Sequence, residues 1–300
     1  MSIPAFSDIS KSANDLLNKD FYHLSAGTIE VKSNTPNNVA FKVTGKSSHD
    51  KATSGAHRYP VHFGTVLVPG FQLLLIKIGI RPGITVTQTW NTLNALDTKV
   101  EAADNLAKGL KLEGAFSFLA QSQKKGAKFN LYFKQPKFHF RGFFDLLKGP
   151  TANVDAVVGH EGFLAGASAG FDVQNANITT FAAAVGFAHP TYTAAITASD
   201  KCSVFAASYY HKVNPLVEAG AKAQWDSKTP GSAVGLEVAT KYRIDPVSFV
   251  KGKINDRGVT AIAYNVLLRP GVTLGIGASF DTQKLDQATH KVGASFTFEG

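Results

Sequence analysis

The chain has 300 residues, of which 44% are hydrophobic and only 18% charged, with 27 glycines, 22 phenylalanines and one cysteine. A charged fraction below the ~25% of an ordinary soluble domain, with abundant Gly and Phe, favours strands and turns over helices, and the lone Cys202 excludes an intrachain disulfide. No run approaches the ~18 apolar residues of a membrane-spanning helix, since Phe71 to Ile80 is too short and holds Gln72 and Lys77, while a net charge of +9 fits nucleic acid, an anionic membrane surface or anionic solutes as partners.

The N-terminus reads as neither a secretory signal nor a transit peptide, because Asp8, Asp15 and Asp20 break the acid-free pattern. An organellar address would therefore be internal. From Ala5 to Lys19 the spacing is helical. Phe6, Ile9, Ala13, Leu16 and Leu17 form one face, Lys11, Asn14, Asp15 and Asn18 the other, and Pro4 suits a helix start. Beyond this helix the period changes to two. Alternation of apolar and polar positions marks strands at Ile84 to Trp90, Lys128 to Lys134, Leu236 to Asp245, Val272 to Asp281 and Lys291 to Glu299. Gly149-Pro150, Pro230-Gly231 and Pro270-Gly271 are among the turn-like separators. No linker divides the chain, so one domain with an N-terminal helix is expected.

Alternating strands fit a soluble sandwich and a membrane barrel alike. Strands near ten residues, charges of both signs on the polar faces and the need to protect open edges favour the barrel. The histidines, for example His139, His160, His189 and His211, lack metal-ligand spacing, and no nucleophile elbow or metal-protease motif appears. No catalytic residue, metal or cofactor is expected.

The run Tyr242 to Tyr264 resembles the mitochondrial porin signature through Tyr242, Asp245, Pro246, Ser248, Gly252, Lys253, Ile254, Asn255, Asp256, Ala261, Ile262 and Tyr264. The N-terminal helix is similar to that of the voltage-dependent anion channel family, above all its filamentous-fungal members. Thr85 to Thr92 and the triplet Gly109, Leu110, Lys111 also fall where the family has them. The resemblance covers residues 1 to 56 and 84 to 300. It implies an all-β membrane protein: a 19-stranded transmembrane barrel, a strand number known for this family, with the amphipathic helix in the lumen. Residues 1–22 would be helix and linker, and residues 23–300 the barrel.

His57 to Gly83 departs from the family, being apolar, poorly alternating and interrupted by Pro60, Pro69 and Pro82. It reads as an atypical insertion or replacement of the kind a retained intron or misplaced exon encodes, and it puts the third strand in doubt. Gln88 is a second departure: it sits on the apolar face with Val86 and Trp90, where animal members carry a lipid-facing Glu, and a neutral amide lowers the cost of burial in lipid.

The function implied is a voltage-gated, weakly anion-selective diffusion pore of the mitochondrial outer membrane, not an enzyme. It would pass nucleotides such as ATP and ADP, phosphate, other small metabolites and ions. Alternation turns Lys99, Lys111, Lys128, Lys134, Arg141, Lys241, Arg243 and Lys291 inward against Glu101, Glu113, Asp145, Glu237 and Glu299, a positive balance that enriches anions. Lys11, Asp15, Lys19 and Lys46 match family positions tied to selectivity and voltage sensing. Moving about three charges through ~50 mV is worth about 3 to 4 kcal/mol, enough to gate a pore. Gly109, Leu110 and Lys111 are associated in the family with nucleotide contact, although a turn leading into a strand explains them equally well. Lys291, Gly293, Phe296 and Phe298 resemble the sorting signal read by the outer-membrane barrel assembly machinery. The expected surroundings are membrane lipids, with room for a homo-oligomer. A protein-import barrel conflicts with the signature. A nucleic-acid-binding β-protein fits poorly, because Phe129, Phe133, Phe296 and Phe298 lie opposite the charges, and detergent dependence would separate the two.

Overall fold

The computed structural model describes residues 3–34, 40–47, 72–81, 83–91, 95–105, 107–119, 123–147, 149–229, 231, 233–286 and 290–300. The strands of the first half are β1 (Gly27–Asn34), β2 (Ala40–Ser47), β3 (Gln72–Arg81), β4 (Ile84–Asn91), β5 (Ala95–Ala103), β6 (Leu110–Leu119), β7 (Lys124–Gln135), β8 (Phe138–Asp145) and β9 (Thr151–His160). Those of the second half are β10 (Phe163–Asp172), β11 (Asn177–Ala188), β12 (Tyr192–Ser199), β13 (Val204–Lys212), β14 (Val217–Asp226), β15 (Gly235–Asp245), β16 (Ser248–Asn255), β17 (Val259–Arg269), β18 (Val272–Asp281) and β19 (Lys291–Glu299).

All belong to one 19-stranded sheet in which consecutive strands pair antiparallel and β1 closes the ring against both β2 and β19. An odd number of strands forces one parallel seam, and β1 meets β19 in that sense, with Ile29 opposite Phe296 and Val31 opposite Phe298. Closure leaves no open edge, which is the condition for a sheet to stand in hydrocarbon. Strands of 8 to 12 residues match the length needed to cross a bilayer at a tilt.

Alternation sets the two faces. In β9 the neighbours Val157 and Val158 are 0% and 53% exposed, so one points into the barrel and the other out. Outward apolar side chains such as Phe116, Val185, Ile196 and Ile262 are all exposed. A soluble monomer rarely shows an apolar surface this continuous. Gln88 is exposed and lies in register between Ile76 and Thr98, on the outward face with Phe116. The two-residue turn from β17 to β18 depends on Gly271, whose φ of 80° suits glycine and whose inward space is already taken by the Glu299 carbonyl.

Two features differ from the sequence expectation. The N-terminal segment is not one helix from Ala5 to Lys19 but a 3₁₀ turn at Phe6–Asp8 followed by α1 (Lys11–Asn18) and a second 3₁₀ turn at Tyr22–Leu24. The break falls at Ile9 and Ser10, where Asn14 Nδ2 donates to Ser10 Oγ and the chain re-aims its apolar side chains. Secondly, the C-terminal part of the atypical block forms a regular third strand: β3 pairs with β4 from Gln72 to Arg81, with irregularities near each end. The preceding part, through residue 71, and Pro82 lie outside the described residues.

Candidate functional site: the lumen and the segment lying in it

Residues 3–24 run along the inner wall and are fixed by three apolar contacts. Ile3 and Ile9 pack with Val157, Leu164, Ala184 and Ala195, joined by Phe6. Leu16 and Leu17 meet Ala239 beside Tyr210, and Phe21 meets Ala261 and Ala263 beside Tyr22. The wall beneath is built of small residues. A Cβ on Gly186 would stand 2.9 Å from Ile9 Cγ2, and one on Gly220 the same distance from Leu16 Cδ2. Side chains there would lift the segment off the wall. On β18 and β19, Gly275, Gly277 and Gly293 leave the space that Tyr22 fills, and Asn265 Nδ2 donates to the Tyr22 hydroxyl.

Polar contacts complete the docking. Arg141 of β8 forks onto Asp155 of β9, its Nη2 reaching Asp155 Oδ2 at 2.8 Å and Ser7 Oγ at 3.2 Å. At the far end of α1 the ammonium of Lys251 donates to the carbonyls of Lys19 at 2.8 Å and Asp15 at 3.2 Å. Its side chain is only 2% exposed.

On the outer side of α1, Asp15 bridges Lys11 at 3.1 Å and Lys19 at 2.9 Å. Partial burial alone would raise the Asp15 carboxyl, but hydrogen bonds from Lys19 and Lys11 outweigh it and hold the group below its usual range. The Lys19 ammonium is raised in turn, chiefly by its bond to Asp15. Between this helix and the wall lies a polar cavity of ≈ 240 Å³, lined by Asp15, Lys19, Asp20, Glu218, Lys241 and Lys251 among others. Lys241 stands 4.2 Å above the Phe249 ring, and Arg243 reaches Glu218 at 3.8 Å.

The opposite wall carries charge rather than small residues. Lys99 bridges Glu101 at 2.8 Å and Glu113 at 2.9 Å, and Lys111 bridges the same two carboxylates at 2.8 and 3.8 Å. Asn130 adds a bond to Glu113. Of the triplet Gly109, Leu110 and Lys111, only Lys111 thus faces this network. Gly109 is a turn residue with φ 84° whose amide donates to Asp104, and Leu110 pairs with Phe133 on the other face. Lys46 lies opposite Thr28 in the ladder, and its side chain is outside the described residues. In β19, Lys291 is exposed and Gly293 buried under the segment, whereas Phe296 and Phe298 stack outward at 6.5 Å.

Alternation therefore assigned Lys99, Lys241, Arg243 and their neighbours to the correct face, because register carries that face from strand to strand. Sequence reasoning missed Lys251 and Asn265. Their faces were readable, but their partners lie more than 200 residues away. The one available signal was a lysine flanked in the ladder by Ala263, a small residue that leaves room for something to lie above it.

The family model described as eukaryotic porin matches residues 2–293. The chain is 75% identical over 300 residues to the mitochondrial outer membrane protein porin of Neurospora crassa, covering 100% of each. It is 39% identical, again over 100% of each chain, to non-selective voltage-gated ion channel 1 of Saccharomyces cerevisiae. Among solved structures it is similar to an engineered variant of Rhodopseudomonas blastica porin, with a TM-score of 0.51 over 73% of this chain and 91% of that one. At 8% identity this last likeness bears on the fold alone.

Proposed function

The chain belongs to the eukaryotic porin family, and from that premise we propose that its lumen favours anions and that residues 1–22 are its voltage-responsive part. It is a voltage-dependent diffusion pore of the mitochondrial outer membrane. The observation that carries the proposal is the division of charge inside the closed ring. The wall of β5 and β6 holds lysines and glutamates in matched pairs. Lys134, Lys222, Lys241 and Lys291 also lie on inward-facing registers and have no salt bridge among the described residues. These ammonium groups give the water a positive bias, which concentrates phosphate and nucleotide anions without fitting them and which salt screens.

The segment adds its own charges of both signs, with Lys11 and Lys19 around Asp15 and with Asp8 and Asp20 beyond them. Lying in the lumen on a wall of small residues, it has a path along which to move. A displacement of its charges in the field shifts the balance of states by about 2.3 kcal/mol per charge per 100 mV. Lys99, Lys241 and Arg243 would then tune selectivity from the wall, and Lys46 from β2. Lys111 would offer weak nucleotide contact beside Gly109 and Leu110. On the last strand, Lys291, Gly293, Phe296 and Phe298 would be read by the assembly machinery before the barrel closes.

Planar-bilayer recording of the refolded protein under a salt gradient tests this. The expected result is a large open conductance that falls at either polarity, with a reversal potential on the anion side. Cation preference or voltage-independent current would refute the assignment of the bias and of the sensor respectively.

A further inference from the structure

We propose that Lys251 is the positioning residue that holds the N-terminal segment against the wall, so that breaking its contacts is part of the voltage-driven transition. The inference rests on the reading of residues 1–22 as the voltage-responsive part. A lysine on the inner face of a pore is expected to stand in water. This one is almost completely covered, and what covers it is not the sheet. Its ammonium donates to the carbonyls of Asp15 and Lys19, lies 3.7 Å from Asp20 Oδ2 and sits 5.0 Å from the Phe21 ring. Each of these partners belongs to residues 15–21.

The chemistry fits a helix terminus. The Asp15 carbonyl already accepts the Lys19 amide at 3.0 Å and takes the ammonium as a second donor, and the partial negative charge at this helix end favours a cation. At Lys19 the backbone turns extended, with ψ of 157°, which leaves its carbonyl to be met from outside the helix. The ladder around Lys251 makes room: Ala263 lies beside it on β17, and Ala239, Ala261 and Ala263 are each 1% exposed beneath the segment. The neighbour on the other side is Lys241, a like charge, and the wall carboxylate across the cavity, Glu218, is shared with Arg243 at 3.8 Å, so the direct partners of Lys251 come from the segment. The segment supplies what the ammonium needs, and the ammonium supplies what the helix end needs.

Lysine thereby couples two events. While the segment is docked, its helix end is capped and Lys251 is withdrawn from the lumen. When the segment moves, both the carbonyls and the ammonium pass to water. A hydrogen bond from a charged donor contributes about 1.5 to 3 kcal/mol, so its loss changes the ratio of docked to displaced channels by about tenfold or more. With about three gating charges, tenfold corresponds to about 20 mV.

The first test uses planar bilayers and three full-length proteins in a Cys202→Ser background. These are the parent, Lys251→Met, and Lys251→Cys alkylated with 2-bromoethylamine in denaturant before refolding, which restores an ammonium at nearly the native position. Lys251→Met should half-close at a voltage about 20 mV nearer zero with the same open conductance, and the alkylated protein should return to the parental voltage. Parental gating in Lys251→Met overturns the proposal, as does a shifted voltage that alkylation leaves in place, because a mere packing role would not require the charge. A second measurement needs no change at Lys251. Amine acetylation of the parent, read by peptide mass spectrometry, should modify Lys251 at least about tenfold more slowly than Lys241, and Leu17→Asn should abolish that protection. Equal rates in the parent overturn the proposal even if no substituted channel refolds. A parent that forms no voltage-dependent pore would instead refute the functional reading, and acetylation would still decide the docking.

Discussion

The two arcs of the barrel have the same outside and different insides. From β5 to β8 the inner face carries large and charged side chains: the network of Lys99, Glu101, Lys111 and Glu113, then Tyr132, Arg141 and Phe143. From β9 to β19 the residues that meet the segment are Gly166, Ala184, Ala195, Ala239, Ala263, Gly277 and their like. Outside, both arcs show the same exposed Phe, Val, Leu and Ile. The lipid thus sets one face uniformly, while the inner face records where the N-terminal segment lies. One arc is water-facing wall with paired charges, and the other is a bed of small residues, in effect the second half of a protein core whose first half is residues 3–24. The comparison also separates contacts: the segment packs on the small residues of the second arc, with Arg141 and Lys251 adding polar contacts, whereas the paired charges of β5 and β6 face water.

The largest expected effect comes from emptying the core on the second arc. Leu17 is 0% exposed, and Leu17→Ala should weaken docking by about 2 to 5 kcal/mol through lost burial and the cavity left behind. The segment would then be displaced at rest. Limited trypsin digestion after Lys11 and Lys19 measures this, and cleavage should be rapid in the variant and slow in the parent. Unchanged cleavage would show that the contact of Leu17 with Ala239 does not hold the segment.

Next comes adding bulk to the bed. In Gly220→Leu the new side chain meets Leu16 Cδ2 at 2.9 Å and the Tyr209 carbonyl at 3.1 Å from its Cβ, an overpacking that costs about 1 to 3 kcal/mol. The same digestion should show intermediate protection, with the β-sheet circular dichroism unchanged. A corresponding enlargement on the first arc, Ala115→Leu, should leave protection as it is, because the contacts of the segment among the described residues lie elsewhere. If both substitutions release the segment equally, the distinction between the arcs fails.

How much of this the sequence could foretell follows the same division. Strand limits such as Val272–Asp281 and Lys291–Glu299 were readable to the residue, because alternation is local and turn residues end it. The inward set was readable too, since face alternates within each strand. The break at Ile9 and Ser10 was not, because the helical spacing from Phe6 to Leu17 continues through it. What divides the segment is that Ile9 seats on Gly186 and Leu16 on Gly220, two sites set apart by the curve of the wall. Lys251 was hidden for the same reason: its lumenal face was legible, but contacts across more than 200 residues leave no periodic trace. Within the atypical block, Gln72–Arg81 alternates poorly and still forms β3, paired along its length with the well-patterned β4. Pairing with a strong neighbour overrides weak local preference.

On the first arc the effects should be smaller and confined to ions. Glu113→Gln removes one carboxylate shared by Lys99 and Lys111. A unit charge acting at ~10 Å through water is worth about 0.4 kcal/mol, so local anion enrichment should rise by about twofold at low salt and by less at high salt. The reversal potential under a salt gradient should move to the anion side, with trypsin protection unaltered. A shift toward cations, or loss of protection, would break the assignment of the β5 and β6 charges to ions alone.

The smallest effect comes through pH. Asp15 is flanked by Lys11 and Lys19 on its own helix and faces Asp20, Glu218, Lys241 and Lys251 across the cavity. Its carboxyl is held below the ordinary value of about 3.9, so the ion pairs contribute fully above that pH. Their contribution is lost as pH falls through the lower, folded-state value. Both pairs are exposed and screened by solvent, which predicts a shallow change confined to strongly acid solution. Protonation leaves Lys11 and Lys19 without their counter-charge and moves the charge of the segment by +1, which changes the steepness of its response to voltage. The steepness of closure, followed from pH 7 into the acid range, should show a change below the ordinary carboxylate range that belongs to Asp15. In Asp15→Asn that change should be missing. A change in that window that persists in Asp15→Asn would place the titrating group elsewhere.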